Sequence, residues 1–195
     1  MLQNKLLKTI KTYSLTAAIA LSVGATMVPS TVSANSGMDD LKKVLQSQID
    51  MMKPELQSKV KDLSTDTKMS IMAILAMHSR VSDQATLRQV MLEVLSDYQT
   101  MSMGIMTDSA EMTADSARRL ANHRIPVGGL LPYLGLENIN DGKLAVLESF
   151  NDSVEGNAIK LAEAAEKGNM GEAAALLGQI STGCVGCHAV FREYP

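Results

Sequence analysis

The 195-residue chain has no tryptophan, two phenylalanines and four tyrosines. A core with so few large rings is filled by aliphatic residues, by methionine, of which there are fourteen, or by a bound group that brings its own apolar volume. Cysteine is equally scarce. Cys184 and Cys187 are the two thiols, and a disulfide between them would close a tiny loop and distort a helix. No stretch alternates apolar and polar residues as a half-buried strand does. Lysine and arginine form no extensive cluster of the kind that phosphate contacts need, which argues against a nucleic-acid partner. No nucleophile–base constellation and no second metal motif is visible, so nothing points to an enzyme.

What is present begins with a leader. Lys5, Lys8 and Lys11 form a basic region, the stretch from Tyr13 to Val28 carries no charge, and Val32-Ser33-Ala34 is a small-residue cleavage pattern. That order predicts a secretory signal peptide over 1–34, because the apolar run is shorter than a bilayer span. Without the three leader lysines, the 18 basic residues fall to 15 against 21 acidic ones, a net charge of −6. No later uncharged apolar run approaches a membrane span, so an exported product without a membrane anchor is expected, and a bacterial periplasmic location with it.

The remainder is dominated by Ala, Leu, Met, Glu, Gln and Lys, all good helix formers. Leu41, Leu45, Ile49, Met52, Leu56, Val60 and Leu63 recur at spacings of three and four. They predict a helix over 38–63, kinked or broken by Pro54. Ser64-Thr65-Asp66 caps a second helix over 66–80 and Ser82-Asp83 a third over 83–106, whose stripe is Leu87, Met91, Val94, Tyr98, Met101 and Ile105. A fourth helix starts near Thr107 to Ser109 and reaches His123. Prolines and glycines make 125–142 a loop. A fifth helix is expected over 143–167, with Leu144, Leu147, Val154, Ala158, Leu161 and Ala165 inward. A short turn follows, then a last helix over 170–192. Short turns between helices imply antiparallel neighbours.

The inward stripe of the last helix is Ala173, Leu176, Ile180, Cys184, Cys187 and Phe191. It carries Cys184-Val185-Gly186-Cys187-His188. A thioredoxin-like redox pair follows a strand, and none is visible. Zinc wants four ligands, whereas two thiols and His188 make three. His78 and His123 read as surface or interhelical histidines outside any second knuckle. Covalent haem attachment fits better. Thiols at i and i+3 share one helical face, and each takes one haem vinyl group, with the adjacent imidazole available to the iron. C-x-x-C-H is the sequence signature of that linkage.

The tail Cys184-Val185-Gly186-Cys187-His188-Ala189-Val190-Phe191-Arg192 resembles the ending of the class II c-type cytochromes, the cytochrome c′ family. The turn Lys167-Gly168-Asn169 and the step Leu87-Arg88-Gln89 are similar too. The likeness covers about 83–195 and is strongest over 144–192. It implies an all-α fold, an up-down-up-down four-helix bundle with one covalent haem c near the C-terminus of its last helix. Residues 35–82 are then an N-terminal helical extension, either a hairpin covering the bundle or a docking or dimer surface. The resemblance further implies redox partner proteins, and it permits a homodimer.

It also implies that the residue opposite His188 decides the function. A Met sulfur there makes a single-electron carrier, whereas an apolar residue leaves a five-coordinate iron that binds NO or CO. The motif count, one turn after Arg88, points to Leu92, and the inward stripe points to Met91. One helical step turns a side chain by ~100°, so the two do not both face the iron. Arg192, four residues after His188, and Arg88 are candidates for haem propionate or proximal contacts.

Overall fold

Pro54 stands where its missing N–H costs nothing. In the computed structural model, which describes residues 34–192, α1 (Ala34–Asp50) ends before Met51-Met52-Lys53, and Pro54 opens α2 (Pro54–Asp62) at its first position. The leader expected over 1–34 lies outside the described residues, apart from Ala34. Ser64 then caps α3 (Thr65–Ala76), its hydroxyl accepting from the Thr67 N–H at 3.2 Å. The described residues fall within one compact unit, 33–195.

The segment between α3 and the next helix departs from expectation. Ser82 does not cap a helix. Its hydroxyl accepts from the Gln84 and Ala85 N–H groups at 3.3 and 2.9 Å, which closes a turn of its own. Val81 and Ile125 form a parallel bridge, with Ser82 N–H on the Ile125 carbonyl at 3.0 Å and Ile125 N–H on the Arg80 carbonyl at 2.8 Å. These bonds hold 80–82 extended, so α4 (Leu87–Met106) starts four residues later than 83. Its actual cap is Thr86, in a reciprocal capping box with Gln89.

A turn over 107–109 leads to α5 (Ala110–Ala121). Where the two helices cross, a Cβ on Gly104 would strike the Thr113 side chain and lie 2.9 Å from its backbone nitrogen. Farther along, Arg119 pairs with Asp97 at 2.8 Å. The connection that follows has two short 3-10 turns, Leu131–Tyr133 and Leu136–Asn138. Gly128 and Gly129 both adopt φ near +75°, a region that side chains avoid.

The expected helix over 143–167 is four pieces: α6 (Asp141–Leu144), α7 (Leu147–Asn151), a π-helical turn (Asp152–Gly156) and α8 (Asn157–Glu166). The Ser153 hydroxyl donates to the Ser149 carbonyl at 2.8 Å, and Asn157 Nδ2 donates to the Ser153 carbonyl at 3.0 Å. After Gly168, in the left-handed region, Asn169 caps α9 (Met170–Phe191).

The described chain is thus all-helical apart from turns, with no named strand. Helix α4 packs on α5, α5 on α8, α8 on α9 and α9 on α4, a closed ring whose α4–α9 seam is the shortest. Its interior is Met101, Leu120, Leu161, Leu176 and Ile180 with eight buried alanines from α5, α8 and α9. A second cluster joins Met52, Leu56, Val60 and Leu63 to Leu131, Leu134, Ile139, Leu144, Leu147 and Phe191. The 35–82 segment therefore covers the 125–142 connection and the end of α9. Among the described residues α9 is the one helix long and apolar enough to cross a membrane. It departs from the expectation that no later run approaches a membrane span: Ala173, Leu176, Ile180, Gly183 and Phe191 are its buried residues, and 22% of its apolar stretch is buried.

Candidate functional site

The C-x-x-C-H segment lies wholly within α9, with no break before Phe191. Helical continuity sets the two thiols on one face. Both are half-buried, and they divide between the two apolar clusters: Cys184 packs against the bundle interior, Cys187 against the second cluster beside Phe150 and Val190. The intervening glycines have a steric reason. A Cβ on Gly183 would lie 2.8 Å from Ser153 Oγ and Val154 Cγ2, and one on Gly186 would lie 3.0 Å from Phe150 Cε1. Helix α9 therefore lies flat on α7 and the π turn. Phe150 and Phe191 meet edge-on, with ring centroids 6.4 Å apart.

Both cysteines are free thiols. Burial, and after it the Glu155 charge, push the Cys184 thiol up; the same two causes, with Cys184 itself, push Cys187 up to about 11. At neutral pH both are uncharged S–H groups in apolar surroundings. That is poor chemistry for a redox nucleophile, which needs the anion.

His188 is exposed, its carbonyl accepting from the Arg192 N–H at 3.0 Å, and the Arg192 side chain is exposed as well. On α4, Arg88 is exposed in the first turn. Met91 is half-buried, whereas Leu92 is 58% exposed. Leu92 therefore points outward, whereas Met91 joins neither apolar cluster, and the fully buried residue of that turn is Val90, which lies outside the expected stripe. Helices α4 and α9 are tied where the Tyr98 hydroxyl meets the Ser181 hydroxyl.

No protein-family model, curated protein or solved structure matches the chain.

The remaining histidines are not surface residues. His78 is 7% exposed and His123 half-buried; their ring centroids lie 4.5 Å apart, and Glu155 Oε1 is 3.1 Å from His123 Nε2. Burial holds the His78 imidazole below its usual range. Burial pushes His123 down too, but the hydrogen bond and charge of Glu155 and the bond to the Arg124 carbonyl outweigh it, so its range lies above the usual one. The sequence carries no signal for this grouping. Its members are far apart along the chain, and Glu155 reads as one more acidic residue of a surface helix.

Proposed function

We propose that the chain is an exported monohaem c-type cytochrome of the class II kind, carrying single electrons between protein partners in the periplasm. The observation that carries the reading is the placement of Cys184 and Cys187: two uncharged thiols on one face of an unbroken helix, each beside an apolar cluster, followed directly by His188. This donor set fits a haem. Cys184 and Cys187 would hold it by thioether bonds, each S–H adding across one vinyl double bond with no atom lost, and His188 would offer its imidazole to the iron. When bound, the haem supplies an iron that gains and loses one electron. The chain's own part is attachment, axial ligation, exclusion of water by the two clusters, and a surface for partners.

An up-down-up-down course is part of the proposal. Contacts between Gly104 and Thr113, Asp97 and Arg119, and Arg118 and Glu166, and the approach of Gly183 to Ser153 and Gly186 to Phe150, all pair rising with falling residue numbers. With α4 and α9 opposed in this way, the Tyr98–Ser181 contact fixes a level. Met91 lies seven residues before Tyr98, and His188 lies seven after Ser181. The two then share one level of the bundle, and Met91 is the residue of α4 that would hold the iron together with His188.

Haem staining after denaturing electrophoresis tests the attachment. Stain is expected on the full chain and lost in Cys184→Ala/Cys187→Ala; an unstained full chain, expressed with haem-attachment machinery, overturns the reading. Met91→Ala tests the ligand. A shift to a high-spin, CO-reactive spectrum is expected, and an unchanged low-spin spectrum excludes Met91. A parent protein that already binds CO moves the function to a five-coordinate haem that takes NO or CO.

A further inference from the structure

Three segments far apart in sequence converge beneath the bundle's π turn. His78 follows the C-terminus of α3, His123 follows α5, and Glu155 lies within the π turn itself. We propose that His78, His123 and Glu155 bind one divalent first-row transition-metal ion, at a site separate from the C-x-x-C-H segment and independent of whether that segment carries haem.

The hydrogen bonds set the ring protons. His78 Nδ1 is 2.9 Å from the Ile74 carbonyl, and His123 Nδ1 is 2.7 Å from the Arg124 carbonyl. A carbonyl only accepts, so each Nδ1 is an N–H donor; His78 Nε2 then keeps its lone pair, whereas His123 Nε2 donates to the Glu155 carboxylate a proton that a bound ion would displace. This is the outer-shell arrangement found behind metal-bound histidines, where a carbonyl holds the far nitrogen and orients the ring. His123 Nε2 lies 3.1 Å from Glu155 Oε1. His78 Nε2, in a side chain more than nine-tenths buried, has no hydrogen-bond partner among the described residues. A buried lone pair without a donor is an unmet demand. A cation held jointly with the neighbouring imidazole and carboxylate meets it.

One ligand atom from each residue lies within 4.8 Å of those of the other two. Two imidazoles and one carboxylate suit zinc or iron(II), and suit calcium or magnesium poorly, because the latter take oxygen donors. Three protein ligands leave a coordination position for water. The framework is also held in place. Ser79 N–H donates to Asn122 Oδ1 at 2.9 Å, Asn122 Nδ2 donates to Ser79 Oγ at 2.8 Å, and the Val81–Ile125 bridge follows. The two histidine-bearing segments are thus fastened together before any ion arrives. π turns occur preferentially at functional sites, and this one supplies the carboxylate. An ion here would clamp the end of α3, and with it the N-terminal helices, onto the bundle.

The test uses the full chain with haem attached, so that the two thiols are capped and no second zinc site competes. After chelator treatment, ZnCl2 is titrated in equilibrium dialysis, with zinc counted by elemental analysis and thermal unfolding followed in parallel. One zinc per chain and a raised unfolding temperature are expected, with affinity at least about tenfold weaker in His78→Ala and in Glu155→Gln. Fewer than one zinc at micromolar free ion, or the same affinity in both variants, overturns the proposal. If His78→Ala does not fold, the nearly isosteric Glu155→Gln decides alone. If the chain proves to carry no haem, Cys184→Ser/Cys187→Ser replaces it, and retained zinc supports the site while lost zinc assigns the ion to the cysteines.

Discussion

The molecule has two apolar interiors, built on different plans. The ring of α4, α5, α8 and α9 closes over alanines, with Met101, Leu120, Leu161 and Ile180 fully buried among them. Small side chains let helix axes approach, so this interior is narrow and regular. The second interior is assembled from α2, the irregular 131–139 connection, α6, α7 and the last turn of α9, and is filled by larger aliphatic residues and Phe191. No single helix pair forms it. Helix α9 belongs to both, and the change from one to the other falls between Cys184 and Cys187. A chain can therefore carry a regular scaffold and an irregular cap on one continuous helix, with Cys184 and Cys187 at the join.

The sharpest test of that contrast is truncation in each interior. Leu161→Ala, at a fully buried position between packed helices, is expected to cost about 2–5 kcal/mol. Leu56→Ala in the second cluster, at 7% exposure, should fall at the lower end of that range, because a helix at the edge of the molecule can settle into the space. Urea denaturation of both variants decides; equal losses would erase the distinction. Next comes overfilling of the join. Gly183→Ala places a methyl 2.8 Å from Ser153 Oγ and Val154 Cγ2, and a loss of about 1–3 kcal/mol is expected in the same assay. A neutral result would mean that α9 does not lie on the π turn as closely as described.

Smaller effects probe the elements that frame the two interiors. Thr86→Ala removes half of the α4 capping box and should cost about 0.5–2 kcal/mol, read from the thermal midpoint. Asp141 ties α6 to the start of α3, accepting from Thr67 Oγ1 at 2.6 Å and Ser64 N–H at 3.0 Å. The Thr67 hydrogen bond, followed by that from Ser64, holds its carboxyl below the usual 3.8. Its contribution is therefore present above pH 3.8 and is lost as pH falls through the lower folded value. In Asp141→Asn the unfolding midpoint should fall less steeply over that acidic window than in the parent, and parallel curves would exclude the link.

The helical content was legible because its signals are local. Pro54 breaks the first helical stretch as expected, Ser64 is a cap in sequence as in structure, and Lys167-Gly168-Asn169 is the turn before the last helix. The start of α4 was misjudged because Ser82 competes with a partner, Ile125, that no local window contains. The π turn was missed for a related reason. Its apolar spacing is that of an ordinary helix, and what sets it apart is a tertiary contact, the approach of Gly183 of α9 to Ser153 and Val154.

Composition and periodicity alone determined that this chain is helical, where most of its helices run, and that Cys184, Cys187 and His188 lie within one turn of the last helix. Those are properties of neighbouring residues, read at a spacing of three or four. Tertiary structure decided the rest: that the thiols straddle two interiors, that burial keeps them uncharged, and that His78, His123 and Glu155 meet. Groups 45 and 32 residues apart along the chain are brought together by packing, which leaves no periodic trace in the sequence.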